Sequence, residues 1–153
     1  MYKRILVPVD GSATSKRGLE EAFKLVQDNT RLRVVNIVDE GMIPAATPIR
    51  LGRAGKSDFI AGLKASGAKA LKAAAAAAAK KQLEVECAQR NSGGSPVSDM
   101  ILAEARKWKA DLLVMGTHGR RGINRLILGS DAARVVHESL IPVLLVRAEE
   151  QSR

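Results

Sequence analysis

Apolar residues recur along the chain in two distinct rhythms. Short runs have the length and branched-residue content of buried parallel strands: RILVPV from Arg4 to Val9, LRVVNIV from Leu32 to Val38, LEVECA from Leu83 to Ala88, DLLVM from Asp111 to Met115 and IPVLLV from Ile141 to Val146. Between them the spacing lengthens to that of helices. Leu19, Ala22, Phe23 and Val26 mark a first helix, with Ser12 or Ser15 available to cap it. Ile60, Leu63, Gly67, Leu71, Ala74 and Ala78 share one face of a long second helix, for which Ser57 is the expected cap. The alanine tract from Ala73 to Ala79 gives that helix high intrinsic propensity. Residues 40–56 hold too many glycines and prolines for regular structure to be expected there. Val97, Ile101, Ala105 and Trp108 mark a third helix after the Gly93-Gly94 turn, with Ser95 as cap and Pro96 at the first helical position. Ala132, Val135 and Val136 mark a short fourth helix starting near Ser130.

Strands alternating with helices predict an α/β fold, an open five-stranded parallel sheet with helices on both faces. Right-handed crossovers leave few strand orders, and 3-2-1-4-5 is the expected one. In that order the winding direction reverses between strands one and four. A crevice opens beyond their C-terminal ends, where open sheets bind ligands. Asp10 closes the first strand and Gly116 follows the fourth, so two loops converge on that crevice.

Composition narrows the chemistry. A chain of 153 residues suits a single domain over 1–153. One cysteine, Cys87, excludes an internal disulfide and a four-cysteine zinc site, and two histidines offer little for a metal. Cys87 is expected as a buried inert thiol and Trp108 as a packing residue. No apolar run approaches the roughly 20 residues that cross a bilayer, and Asp10 interrupts the first apolar run too early for a secretory leader. The expectation is a cytoplasmic protein with no membrane partner. The net charge is +9, and Arg50 to Lys81 carries eight basic residues against one acidic, Asp58. With only four aromatics to stack on bases, that segment reads as a solvated helix face rather than a nucleic-acid surface.

The segment MGTHGRRGINRLILGS, Met115 to Ser130, carries the main chemical signal. Gly116, Gly119 and Gly129 allow close approach of backbone to a ligand. Ser130 begins a helix whose free amides face the crevice. Arg120, Arg121 and Arg125 add positive charge. Amides, a hydroxyl and guanidinium groups around one concavity suit a polyphosphate. His118 is expected as a solvent-facing loop residue, so no catalytic residue and no metal ligand is assigned. Gly55-Lys56-Ser57 imitates the end of a phosphate loop, but Arg50 stands where its first glycine is required.

Gly116-Thr117-His118-Gly119, nine residues from Arg120 to Leu128, then Gly129-Ser130, together with the opening KRILVPVDGS, ADLLVMGTHGR and the closing IPVLLVR, resemble the nucleotide-binding branch of the universal stress protein family. The resemblance covers nearly the whole chain. It implies a Rossmann-like fold akin to the adenine nucleotide alpha hydrolases and a bound ATP, with or without Mg2+, or AMP. By position, Pro8, Val9 and Asp10 match the segment that meets adenosine, with Asp10 on the ribose hydroxyls. Val38 matches the backbone position that holds adenine, and Met115 and Gly116 lie near the base. Gly119, Arg120, Gly129 and Ser130 match the phosphate side. A homodimer through Ile141 to Val146 is also implied. Asp131 departs from the pattern, since ATP-binding relatives carry a small uncharged residue there. Its expected cost is repulsion of a nearby phosphate, so Asp131→Val is expected to favour ATP relative to AMP. A regulatory nucleotide-binding role is preferred to slow ATP hydrolysis or self-phosphorylation, because no carboxylate or histidine is clearly placed to activate water.

Overall fold

The computed structural model describes residues 1–42, 52–118 and 128–147. Five strands, β1 (Arg4–Pro8), β2 (Arg31–Val38), β3 (Glu86–Asn91), β4 (Leu112–Gly116) and β5 (Val143–Val146), form one sheet in the order β3-β2-β1-β4-β5. Every pairing is parallel. The expected fold and strand order are therefore those of the structure.

Side-chain alternation sends each central strand into two separate cores. Ile5, Val7, Leu32, Val34, Leu112 and Val114 face α1 (Ala13–Leu25) and α2 (Gly52–Ala79), meeting Leu19, Phe23, Leu71 and Ala78. Leu6, Val35, Leu113 and Met115 face α3 (Val97–Trp108) and α4 (Ser130–Glu138), meeting Ile101, Leu102, Trp108 and Val135. Burial on both faces explains why the central strands read as unbroken apolar runs.

Four boundaries differ from expectation. β3 starts at Glu86 and runs to Asn91, three residues beyond the apolar stretch. It is an edge strand, and its polar Gln89 and Arg90 find partners instead of needing an apolar environment. α2 begins at Gly52, so Ser57 lies inside the helix, and Glu40–Met42 forms a short 3-10 turn within the stretch expected to be irregular. Pro96, not Ser95, occupies the cap position of α3, and no side chain of the cap bonds to the helix. Of the two serines proposed for α1, Ser12 is the cap, its hydroxyl accepting from the Ser15 amide at 3.2 Å.

The α3 face also holds a charged cluster near the N-terminal ends of β1 and β2. Glu104, only 3% exposed, accepts from Arg33 at 2.8 Å and from Arg90 at 2.9 Å. Arg33 reaches Glu86 at 2.6 Å, and Arg31 bonds the same carboxylate. Burial works against the Arg33 charge, but its hydrogen bonds to Glu86 and Glu104 outweigh it and raise its pKa. The Arg33 hydrogen bond is the main cause of a lowered Glu86 pKa. The guanidinium carbons of Arg33, Arg31 and Arg4 lie 4.9, 5.9 and 6.0 Å from the centre of the buried Trp108 ring. Trp108 packs as expected. Cys87 does not: it is exposed on edge strand β3, and partial desolvation of its thiol raises the pKa.

Candidate functional site

A cleft opens where the chain leaves β1 and β4, the two strands at which the winding reverses. Pro8, Val9, Asp10, Val38, Met115, Gly116, Gly129, Ser130 and Asp131, all named from sequence, line it together. Gly119 and Arg120, with Arg121 and Arg125, lie outside the described residues.

The β1 side is fixed by hydrogen bonds. The Val9 amide donates to the Val35 carbonyl at 2.8 Å, while its own carbonyl accepts from Asn36 Nδ2 at 2.9 Å. Asp10 Oδ1 accepts from the Ser12 amide at 2.8 Å, so the carboxylate also holds the turn into α1. The Val38 carbonyl, at the end of β2, accepts from the Ser92 amide at 3.0 Å.

The β4 side is held by a second set of contacts. The Thr117 amide donates to Val146 of β5 at 3.0 Å, and the Gly129 amide donates to Thr117 at 2.8 Å. The Gly129 amide is thus engaged within the protein, which leaves Ser130, Asp131 and Ala132 as the first amides of α4 without a partner among the described residues. The bare α-carbon of Gly116 has a structural reason as well as the expected ligand-facing one. A Cβ there would stand 2.8 Å from the Thr14 side chain on α1. Thr14 Oγ1 in turn donates to the His118 carbonyl.

Several lining residues escaped the sequence reading. Asn36 is 5% exposed and joins three elements, bonding Val9 and accepting from Gln89 Nε2 at 3.2 Å. Gln89 also donates to the Lys64 carbonyl of α2 at 2.9 Å. Gly67 sits directly over this junction, since a Cβ on it would fall 1.9 Å from Asn36 Oδ1. A lone asparagine inside an apolar strand was the available signal. His118 corrects its expectation: its ring is not turned to solvent. Nδ1 lies 3.0 Å from Thr117 Oγ1, and Nε2 is buried at the wall of the cleft without a hydrogen-bond partner among the described residues. Asp131 Oδ1 accepts from the Ser98 amide at 3.1 Å, so a residue of α4 caps the otherwise uncapped start of α3.

The family profile described as universal stress protein family matches residues 1–147. A universal stress protein of Methanocaldococcus jannaschii is 32% identical over 149 residues, covering 96% of this chain and 83% of that protein. The chain belongs to the universal stress protein family. Among solved structures, a universal stress protein family member from Burkholderia pseudomallei is 28% identical with a TM-score of 0.74, covering 96% of this chain and 97% of that one. A universal stress protein solved in complex with cAMP is 26% identical, with a TM-score of 0.58 and coverage of 97% of this chain and 98% of that one. A universal stress protein from Lactobacillus plantarum, 24% identical with a TM-score of 0.77 and coverage of 95% of this chain and 98% of that one, shows the same fold.

Proposed function

We propose that this universal stress protein binds an adenine nucleotide, AMP or ATP, in the β1–β4 cleft, and that occupancy alters its shape or choice of partner. The observation that carries the reading is the convergence of Asp10 from β1 with Gly116 and the start of α4 on one cleft. The donor set fits such a group. Val9, Val38, Leu63 and Met115 supply an apolar wall for a base, Asp10 an acceptor for sugar hydroxyls, and the α4 start free amides and the Ser130 hydroxyl for phosphate. The cAMP complex of a relative supports an adenine ligand. Magnesium enters only as a companion of ATP. The protein is read as cytoplasmic and homodimeric, pairing through Ile141 to Val146; no helix among the described residues is long and apolar enough to cross a membrane.

Heat-denaturing the purified protein and identifying the released small molecule tests the reading, alongside calorimetry on stripped protein. Asp10→Asn keeps an acceptor for the Ser12 amide and removes the charge. Its affinity should fall about tenfold, since a hydrogen bond to a charged group contributes about 1.5–3 kcal/mol against about 0.5–1.5 kcal/mol for a neutral one. No released nucleotide and no titratable binding would refute the proposal. His118 Nε2, at the cleft wall and without a hydrogen-bond partner among the described residues, favours ATP hydrolysis as a second reading. Turnover of labelled ATP that disappears in His118→Gln would establish it.

A further inference from the structure

We infer that Asp131 makes the cleft a charge-counting site, one that accepts adenine ligands with few phosphate charges and discriminates against triphosphates. This inference rests on the nucleotide reading above. Two helix N-termini border the cleft, those of α3 at Val97 and α4 at Ser130. Their positive ends are the natural attraction for phosphate. One carboxylate already stands between them. Asp131 stands in the first turn of α4, and its Oδ1 holds the Ser98 amide of α3 at 3.1 Å.

That bond also fixes the carboxylate in place. Asp131 is half-buried and lines the cleft, so its charge is not free to swing into solvent. No lysine or arginine among the described residues pairs with it. Arg134, on the same helix, is engaged by Asp99 at 3.1 Å and Glu138 at 2.9 Å. The Gly129 amide, which would otherwise face an anion, is spent on Thr117. Among the described residues the start of α4 thus offers a phosphate its remaining amides and the Ser130 hydroxyl beside a fixed negative charge, and each added phosphate meets more repulsion from that charge.

The ligands cAMP, AMP, ADP and ATP form a ladder of increasing negative charge on one adenosine frame. The experiment is calorimetric titration of stripped protein with all four, at constant ionic strength, for wild type and Asp131→Asn. Asparagine keeps an acceptor for the Ser98 amide and removes the charge. The gain on substitution should climb the ladder, from under about twofold for cAMP through about threefold for AMP to about tenfold for ATP. Asp131→Ser, also uncharged and suited to a helix start, should reproduce the order, and circular dichroism melts verify folding of both variants. Equal gains for all four ligands, or losses for all, would overturn the inference while leaving nucleotide binding intact. Absence of binding by wild type and both variants would overturn the nucleotide reading and this inference with it.

Discussion

Replacing Gly67 with alanine sets two opposing effects against each other, and the structure decides which prevails. In an exposed helix interior the change stabilises by about 1 kcal/mol, because alanine has the higher helix propensity. At Gly67 the new Cβ would lie 1.9 Å from Asn36 Oδ1, 2.6 Å from Asn36 Cγ and 2.7 Å from Gln89 Nε2. Asn36 is buried and bound to Val9, so it has no open space into which to retreat. Overpacking costs about 1–3 kcal/mol. Displacing Asn36 also strands the Val9 carbonyl, at a further cost of about 1–3 kcal/mol. After the propensity gain, the net destabilisation should be about 1–5 kcal/mol, lowering Tm by about 2–20 °C for a chain of this size. Gly62 is the internal control, because nothing lies within 4 Å of its added Cβ. Gly62→Ala should raise stability by up to about 1 kcal/mol. Urea unfolding of both variants beside wild type gives the comparison. If Gly67→Ala is stabilised as much as Gly62→Ala, the tight contact between α2 and the cleft floor does not exist.

Two other outcomes follow from the surface and the charged cluster. Glu86 has a lowered pKa, chiefly through its hydrogen bond to Arg33, so its contribution to stability is present above the ordinary carboxylate pKa and is lost as pH falls through the lowered value. Glu86→Gln should therefore flatten the acid limb of a urea-midpoint profile below about pH 4.5 while lowering stability at pH 7. The second concerns β5, an edge strand whose Leu144 is 38% exposed, beside Leu140 at 94%. If the chain pairs through this edge, Leu144→Lys should shift light-scattering mass from two chains to one, and an unchanged mass would remove the proposed interface.

The central strands and the cleft between β1 and β4 were legible because both rest on local rules: apolar runs, turn residues and crossover handedness. The edge of the sheet was not. β3 carries Glu86, Gln89 and Arg90 where a strand reader looks for apolar residues, and each is accommodated by a partner distant in sequence. The same holds for Glu104, whose burial is intelligible only beside Arg33 and Arg90. In the site, Asp10 and the α4 start were readable as loop chemistry, and the motif that carries the family resemblance fixed their roles as expectations. Asn36 and Gly67 were not readable as a pair, because only the packing of α2 on β2 brings them together. The coupling of Asp131 to Ser98 likewise spans two helices that no local spacing relates.

Trp108 is the sole tryptophan, and it sits at the far end of α3 from the cleft. Val97 borders the cleft, and the rise along the intervening helix is about 16 Å. The indole is shielded from solvent and stands among the guanidinium groups of Arg4, Arg31 and Arg33, on strands that α3 packs against. Its fluorescence is thus a native gauge of global unfolding that stays largely silent to what enters the crevice. A titration followed by emission alone would report an empty pocket even when it is filled.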